Sequence, residues 1–208
     1  MTLVRQDIRG QYDPGTAPGT EMHLHLRVLD ATSPSCNAAP ASGLEVYVWH
    51  TDAQGFYSGF GAPGQQRPDE PYAGVPNQND LNNPDRFCRG VQTTDAAGVV
   101  SFRSVFPGWY NGRDIHIHIL VARPGSASRG RVTYSGGDHV FTTQIYFDPE
   151  LSDAVHRASQ PYLRRTQLPA YPGAIQADEP GNSGLRAAAN FDSNLVVAQM
   201  QILLDPLA

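Results

Sequence analysis

The stretch PGWYNGRDIHIHILV, from Pro107 to Val121, places Tyr110, Arg113, His116 and His118 within nine residues. In a strand, residues i and i+2 share a face, with Cα atoms about 6.5–7 Å apart. Two imidazoles rising from that spacing can converge on one ion about 2.0–2.1 Å from each nitrogen. His116 and His118 would then point together while Ile115, Ile117, Ile119 and Val121 pack on the opposite face. Spacing alone leaves two readings open, a ligand pair or two ordinary hydrogen-bonded strand residues. The chain carries its own control, because His23 and His25 have the same spacing in EMHLHLRVLD. They share a face with Arg27, opposite Met22, Leu24, Leu26 and Val28, and no third donor lies beside them. That pair reads as surface histidines.

The company of the second pair differs. Tyr110 follows a Pro-Gly-Trp turn, Arg113 stands three residues before His116, and Tyr57 follows DAQG in GFYSGF. A tyrosine, with an ordinary pKa near 10, ligates only when a strongly acidic cation removes its proton. The phenolate is then a hard oxygen donor, suited to ferric iron better than to zinc. His-x-His on a strand also serves copper and zinc, and two phenolates disfavour both.

The elements that must carry these side chains are strands. EMHLHLRVLD alternates apolar and polar residues, as a half-buried strand does. A strand runs from about Leu44 to His50, then DAQG turns and the chain returns. GVQTTDAAGVVSFRSVFPG repeats that layout, with Asp95 to Gly98 as the turn between two strands. DIHIHILVAR, HVFTTQIYFD and the weakly alternating NLVVAQMQILLD complete the set. Together these predict an all-β chain, an antiparallel β-sandwich with long loops forming one domain over residues 1–208. A short helix is expected near PELSDAVHRAS. The Pro- and Gly-rich segment from Gly59 to Arg86 is long enough to be functional, and following Tyr57 it is expected to form one rim of a substrate pocket.

Bulk composition agrees. The chain has 208 residues, 40% of them hydrophobic, enough to build a sizeable core. Its 20 Gly and 17 Pro favour short strands and turns over long helices. A net charge of -5 argues against a nucleic-acid surface. No apolar run approaches the ~20 residues that span a bilayer. The N-terminus lacks the layout of a signal peptide, so the sequence as it stands reads as cytoplasmic, with an exported mature form as the alternative. Cys36 and Cys88 are equally compatible with one disulfide and with two thiols.

Three blocks, VWHTDAQGFYSG, RGVQTTDAAGVVSFRSVFPGWYNGRDIHIHI and FTTQIYFD, resemble in content and order the core of the intradiol ring-cleaving dioxygenases, the protocatechuate 3,4-dioxygenase and catechol 1,2-dioxygenase relatives. The likeness covers about residues 20–150. It implies a β-sandwich holding a non-haem Fe(III) on Tyr57, Tyr110, His116 and His118. It places the family's arginine on Arg113 and its active-site glutamine on Gln144. The implied reaction opens a catechol-type ring with O2 to a cis,cis-muconate-type diacid, as in the breakdown of aromatic compounds. Tyr110 would leave the metal and accept a catechol proton, and Arg113 would stabilise developing negative charge. The short form resembles the stand-alone intradiol-like branch, which commonly has Cys where this chain has Thr51, and Leu where it has Cys88. A small-molecule catechol and O2 are the implied partners. Neither nucleic acid nor membrane is expected, and a homo-oligomer is possible.

Each residue also has a plain structural reading. Tyr57 and Tyr110 would be turn-flanking aromatics, Arg113 the partner of Asp114, and Gln144 a polar edge residue. The alternative for the whole chain is a non-catalytic, prealbumin-like β-sandwich binding module, since strand-TDAAG-strand units occur there too.

Overall fold

The computed structural model describes residues 3–10, 17–31, 38–58, 86–109, 114–124, 137–158, 162 and 186–204. Strands β1 (Glu21–Asp30), β2 (Ala39–Pro40), β3 (Glu45–Trp49), β4 (Arg89–Thr93), β5 (Val99–Val105), β6 (His116–Ala122) and β7 (His139–Tyr146) precede helix α1 (Pro149–Ala158). Strands β8 (Ala188–Asp192) and β9 (Leu195–Leu204) follow it. One sheet runs β2-β1-β9-β8, with β5 also paired to β1, and the other runs β4-β3-β6-β7.

Period-two alternation decides which side chains meet between the sheets. Met22, Leu24, Leu26 and Val28 from β1 are buried, as are Val46 and Val48 from β3 and Ile117, Ile119 and Val121 from β6. They join Phe102, Ile145, Val196 and Ala198 in one apolar cluster drawn from both sheets. Burying each large side chain contributes about 1.5–3 kcal/mol, so this layer is the main stabilising term. Ile115, Ile117, Ile119 and Val121 all lie in the cluster, as the sequence requires if His116 and His118 face the other way.

Two features depart from the sequence reading. The sandwich is antiparallel except at β1 and β9, which pair in parallel along their full lengths, Glu21 with Leu195 through Asp30 with Leu204. The expected return strand after DAQG is absent, since Phe56–Ser58 belong to no strand. Asp52 closes this turn instead. Its Oδ1 accepts the N–H groups of Gln54 and Phe56 at 2.8 and 3.0 Å, and its carbonyl accepts that of Gly55. The TDAAG turn between β4 and β5 has the same construction. Asp95 Oδ1 accepts from Ala97 and Val99, and the Asp95 carbonyl accepts from Gly98. Gly55 and Gly98 sit at φ of 83° and 75°, the left-handed region where a side chain is disfavoured.

An N-terminal strap, residues 3–10, ties the two sheets together at one edge. Val4 bridges Val91 of β4, and Asp7 bridges Arg103 of β5. Gly90 admits the strap, because a Cβ there would stand 2.3 Å from Ile8 Cγ2. Helix α1 matches the expected short helix. Asp148 caps it, its Oδ1 accepting the Glu150 N–H, and Pro149 occupies the first helical position. His156 from α1 donates to the Pro107 carbonyl, and Tyr162 donates to the Phe106 carbonyl. These bonds pin the segment that leads toward Tyr110. The expected pocket rim lies outside the described residues, apart from Arg86 at its end. Cys36 lies outside them too. Cys88 is a free buried thiol against Ala17, Phe87 and Val105, and burial pushes its pKa up.

Candidate metal centre

The register of the second sheet lays out a row of side chains on its outer face. Arg89 is directly opposite Trp49, Trp49 opposite His118, and His118 opposite Gln144. His116 is opposite Tyr146. Directly opposed residues share a face, so the two histidines, Trp49, Arg89 and Gln144 all project from the side away from the core. His116 and His118 are nonetheless only 3% and 8% exposed, so their ring nitrogens are shielded from water that would otherwise satisfy them.

Tyr57 arrives over this row from the Asp52 turn. Its Oη lies 3.1 Å from His116 Nε2 and 3.0 Å from His118 Nε2. The two Nε2 atoms are 3.1 Å apart. His116 Nδ1 is 2.6 Å from the Asp114 carbonyl, to which it donates its proton, leaving Nε2 with a bare lone pair aimed at the triangle. Trp49 stacks on the His118 ring, with centroids 4.7 Å apart and planes 4° from parallel, and fixes that ring's plane.

Three lone-pair-bearing atoms at such separations repel unless a proton or a cation lies among them. The corners of a triangle with ~3.1 Å edges lie about 1.8 Å from its centre, so a cation with ~2.0–2.1 Å bonds fits about 1 Å above its plane. One hard oxygen and two imidazole nitrogens suit a ferric ion or another borderline cation. Among the described residues no group of three or more His, Cys, Asp or Glu could hold a metal, so a site here depends on the phenol oxygen.

The structure thus brings Tyr57, His116 and His118 together. Tyr110 and Arg113 lie outside the described residues. Gln144 lies beside His118, and its Oε1 accepts the Tyr146 hydroxyl at 2.6 Å. The control pair behaves as expected. His23 Nε2 engages Glu21 at 2.8 Å, and His25 Nδ1 engages Ser101 at 2.8 Å, on the outer face of the other sheet.

Sequence reasoning missed the groups that hold this site. His50 is 1% exposed and bridges the Thr51 carbonyl and the Ser104 hydroxyl at 2.7 and 2.8 Å. Burial drives its pKa down to about 4, so it is neutral near pH 7. Thr51, where the resembling branch has Cys, donates to the Gly108 carbonyl. Arg89 is 5% exposed and binds Ser58, the residue after Tyr57. A buried arginine opening a strand was the available signal, but its partner lies 31 residues away.

No family model matches the sequence, and no curated protein matches it. Solved structures do. An intradiol ring-cleavage dioxygenase from Tetranychus urticae is 24% identical with a TM-score of 0.71, the match covering 99% of this chain and 88% of that one. A second dioxygenase crystal structure is 24% identical with a TM-score of 0.69 and coverage of 100% and 89%. The 3-chlorocatechol 1,2-dioxygenase of Rhodococcus opacus 1CP is 18% identical with a TM-score of 0.51, the match covering 96% of this chain and 64% of that one. The fold is that of the intradiol ring-cleavage dioxygenases.

Proposed function

We propose that this chain is an intradiol ring-cleaving dioxygenase, a non-haem Fe(III) enzyme that opens a catechol-type ring with O2 to a cis,cis-muconate-type diacid. The observation that carries the reading is the triangle of Tyr57 Oη, His116 Nε2 and His118 Nε2, closed by contacts of 3.0–3.1 Å on a fold shared with such enzymes. Ferric iron bound there would chelate the catecholate and make a ring carbon reactive toward dioxygen.

The chain's own residues supply the rest. The bond to the Asp114 carbonyl keeps the His116 proton on Nδ1, so Nε2 is ready to ligate without a proton loss. Trp49 covers one face of His118 and keeps water from it. Tyr57 holds its place as a phenolate donor. Tyr110, assigned by the resemblance, takes a proton from the arriving catechol at its phenol oxygen. Exchanging a phenolate for a catecholate in this way avoids burying an added charge. Arg113, also assigned by resemblance, stabilises negative charge as it develops on the ring and oxygen. Gln144 stands one strand over from His118, its carbonyl oxygen engaged by Tyr146, and its amide N–H groups are donors for a bound oxygen ligand.

The test is turnover under labelled oxygen. Iron-loaded protein given catechol should consume O2 in equal amount with the ring-opened diacid, and both label atoms should enter that product. Tight catechol binding with no oxygen uptake would favour the binding-module reading. A semialdehyde product, from cleavage outside the two hydroxyls, would overturn the intradiol assignment.

A further inference from the structure

We propose that Arg89 is a positioning residue for Tyr57, holding its phenol against His116 and His118, and that Arg5 holds Arg89 in turn. The functional half of the inference rests on the reading of Tyr57 as a metal ligand; the geometric half does not.

Tyr57 belongs to no strand, and its phenol is useful only if the chain on both sides of it is fixed. Upstream the Asp52 turn does this, with the Gly108 N–H also donating to the Asp52 carbonyl. Downstream the next residue is Ser58, which is 1% exposed. Its hydroxyl donates to the Phe87 carbonyl at 2.7 Å. The Arg89 guanidinium then closes on it, with Nε 3.1 Å and Nη2 2.8 Å from the Ser58 carbonyl oxygen. Nε also lies 2.9 Å from Ser58 Oγ, and Nη1 donates to the Tyr47 hydroxyl at 2.8 Å. One planar fork thus spans the carbonyl and hydroxyl of one residue while its third arm grips the sheet. A lysine ammonium is a point donor and cannot make that set of bonds together.

Arg89 is itself held. It shares the outer-face row with Trp49 and His118, so its base is fixed in the same sheet as the ligand pair. The preceding Cys88 sits at φ 54°, an uncommon conformation for a residue with a side chain, and donates its N–H to the Ile8 carbonyl. The Arg5 guanidinium donates to the Arg89 carbonyl through Nε and Nη2, at 3.1 and 2.9 Å, and to the Arg86 carbonyl through Nη2. The N-terminal strap is therefore connected to Tyr57 through two successive guanidinium groups. This is how a side chain on an irregular segment is kept in contact with two on a strand.

The experiment uses the full chain with Arg89→Lys, Arg89→Gln and Arg5→Gln, first without metal. In the parent protein the rings of Tyr57 and His118 have centroids 5.9 Å apart, so a nuclear Overhauser contact joins them. The contact should disappear in both Arg89 variants and weaken in Arg5→Gln, while core methyl shifts stay native. A merely structural role would lower the melting temperature and leave that contact in place. If Arg89→Gln does not fold, Arg89→Lys and Arg5→Gln decide, since Lys keeps the buried charge. A full-strength contact in any folded Arg89 variant overturns the inference. With ferric iron added, affinity in the Arg89 variants should fall about tenfold or more and the phenolate-to-iron band should lose intensity. An unchanged band and affinity would also overturn it. A parent protein that shows the ring contact but takes up no iron would refute the metal reading, and loss of the contact in the variants would still uphold the positioning.

Discussion

Acidification should weaken this protein through a single buried histidine. His50 is 1% exposed, with Nδ1–H donating to the Thr51 carbonyl and Nε2 accepting from the Ser104 hydroxyl. Burial, the largest cause, lowers its pKa to about 4 from the ordinary 6.5, and the charges on His116 and Arg89 push the same way. The unfolded chain therefore takes up the proton first as pH falls. The neutral state's contribution is complete above pH 6.5 and is lost progressively as pH drops toward 4. The gap of 2.5 pH units, at about 1.4 kcal/mol each, comes to about 3 kcal/mol, of which about 2 is already gone at pH 5. With a urea slope of roughly 2 kcal/mol per molar, the midpoint of metal-free protein should fall by about 1 M between pH 7 and pH 5. His50→Gln cannot titrate, so its midpoint should move far less over the same range. Glu21, whose pKa the Arg103 hydrogen bond lowers to about 2, loses its partner only in stronger acid and does not confuse this window. Parallel midpoint curves for the parent protein and His50→Gln would refute the reasoning.

Tyr57→Phe and His118→Ala should lose most of their iron, whereas Tyr110→Phe should retain part of it and turn over slowly; metal analysis and oxygen uptake separate the three. Gly108→Ala should destabilise by about 2 kcal/mol or more in denaturant melts, because its Cβ would stand 2.4 Å from the Ala53 carbonyl oxygen and 2.5 Å from that of Asp52. The same clash displaces the turn that carries Tyr57, so iron retention should fall with it. Ferric iron should quench the fluorescence of Trp49, which is stacked on His118, and Trp49→Phe should remove most of that quenching while Trp109, the other of the two tryptophans, remains.

The sandwich was legible where one face of a strand is buried and the other is polar. β1 and β6 alternate cleanly, and that alternation alone places the His116 and His118 side chains away from the core. β9 alternated weakly because Leu195, Val197 and Leu203 lie on its outer face, and its parallel pairing with β1 has no local signature. β8, with the sequence AANFD, has neither alternation nor β-branched residues. The N-terminal strap makes isolated bridges and has no pattern of its own to read. The triangle was inferred from motif order rather than spacing, as His23 and His25 demonstrate by having the same spacing and no third donor. The DAQG turn was recognised as a turn, but its return was read as a strand because Phe56 and Tyr57 are good strand formers. Asp52 satisfies the local N–H groups that a strand partner would otherwise have taken. Arg89 and Ser58 were out of reach, since their contact depends on the register of β3 and β4.

The central claim is that Tyr57, His116 and His118 converge on ferric iron, and a visible spectrum taken with an iron assay tests it most directly. Purified protein, reconstituted with ferric iron, should be burgundy with about one iron per chain, and its band should shift when catechol is added under nitrogen. A protein that stays colourless after reconstitution, with no bound iron, would contradict the account.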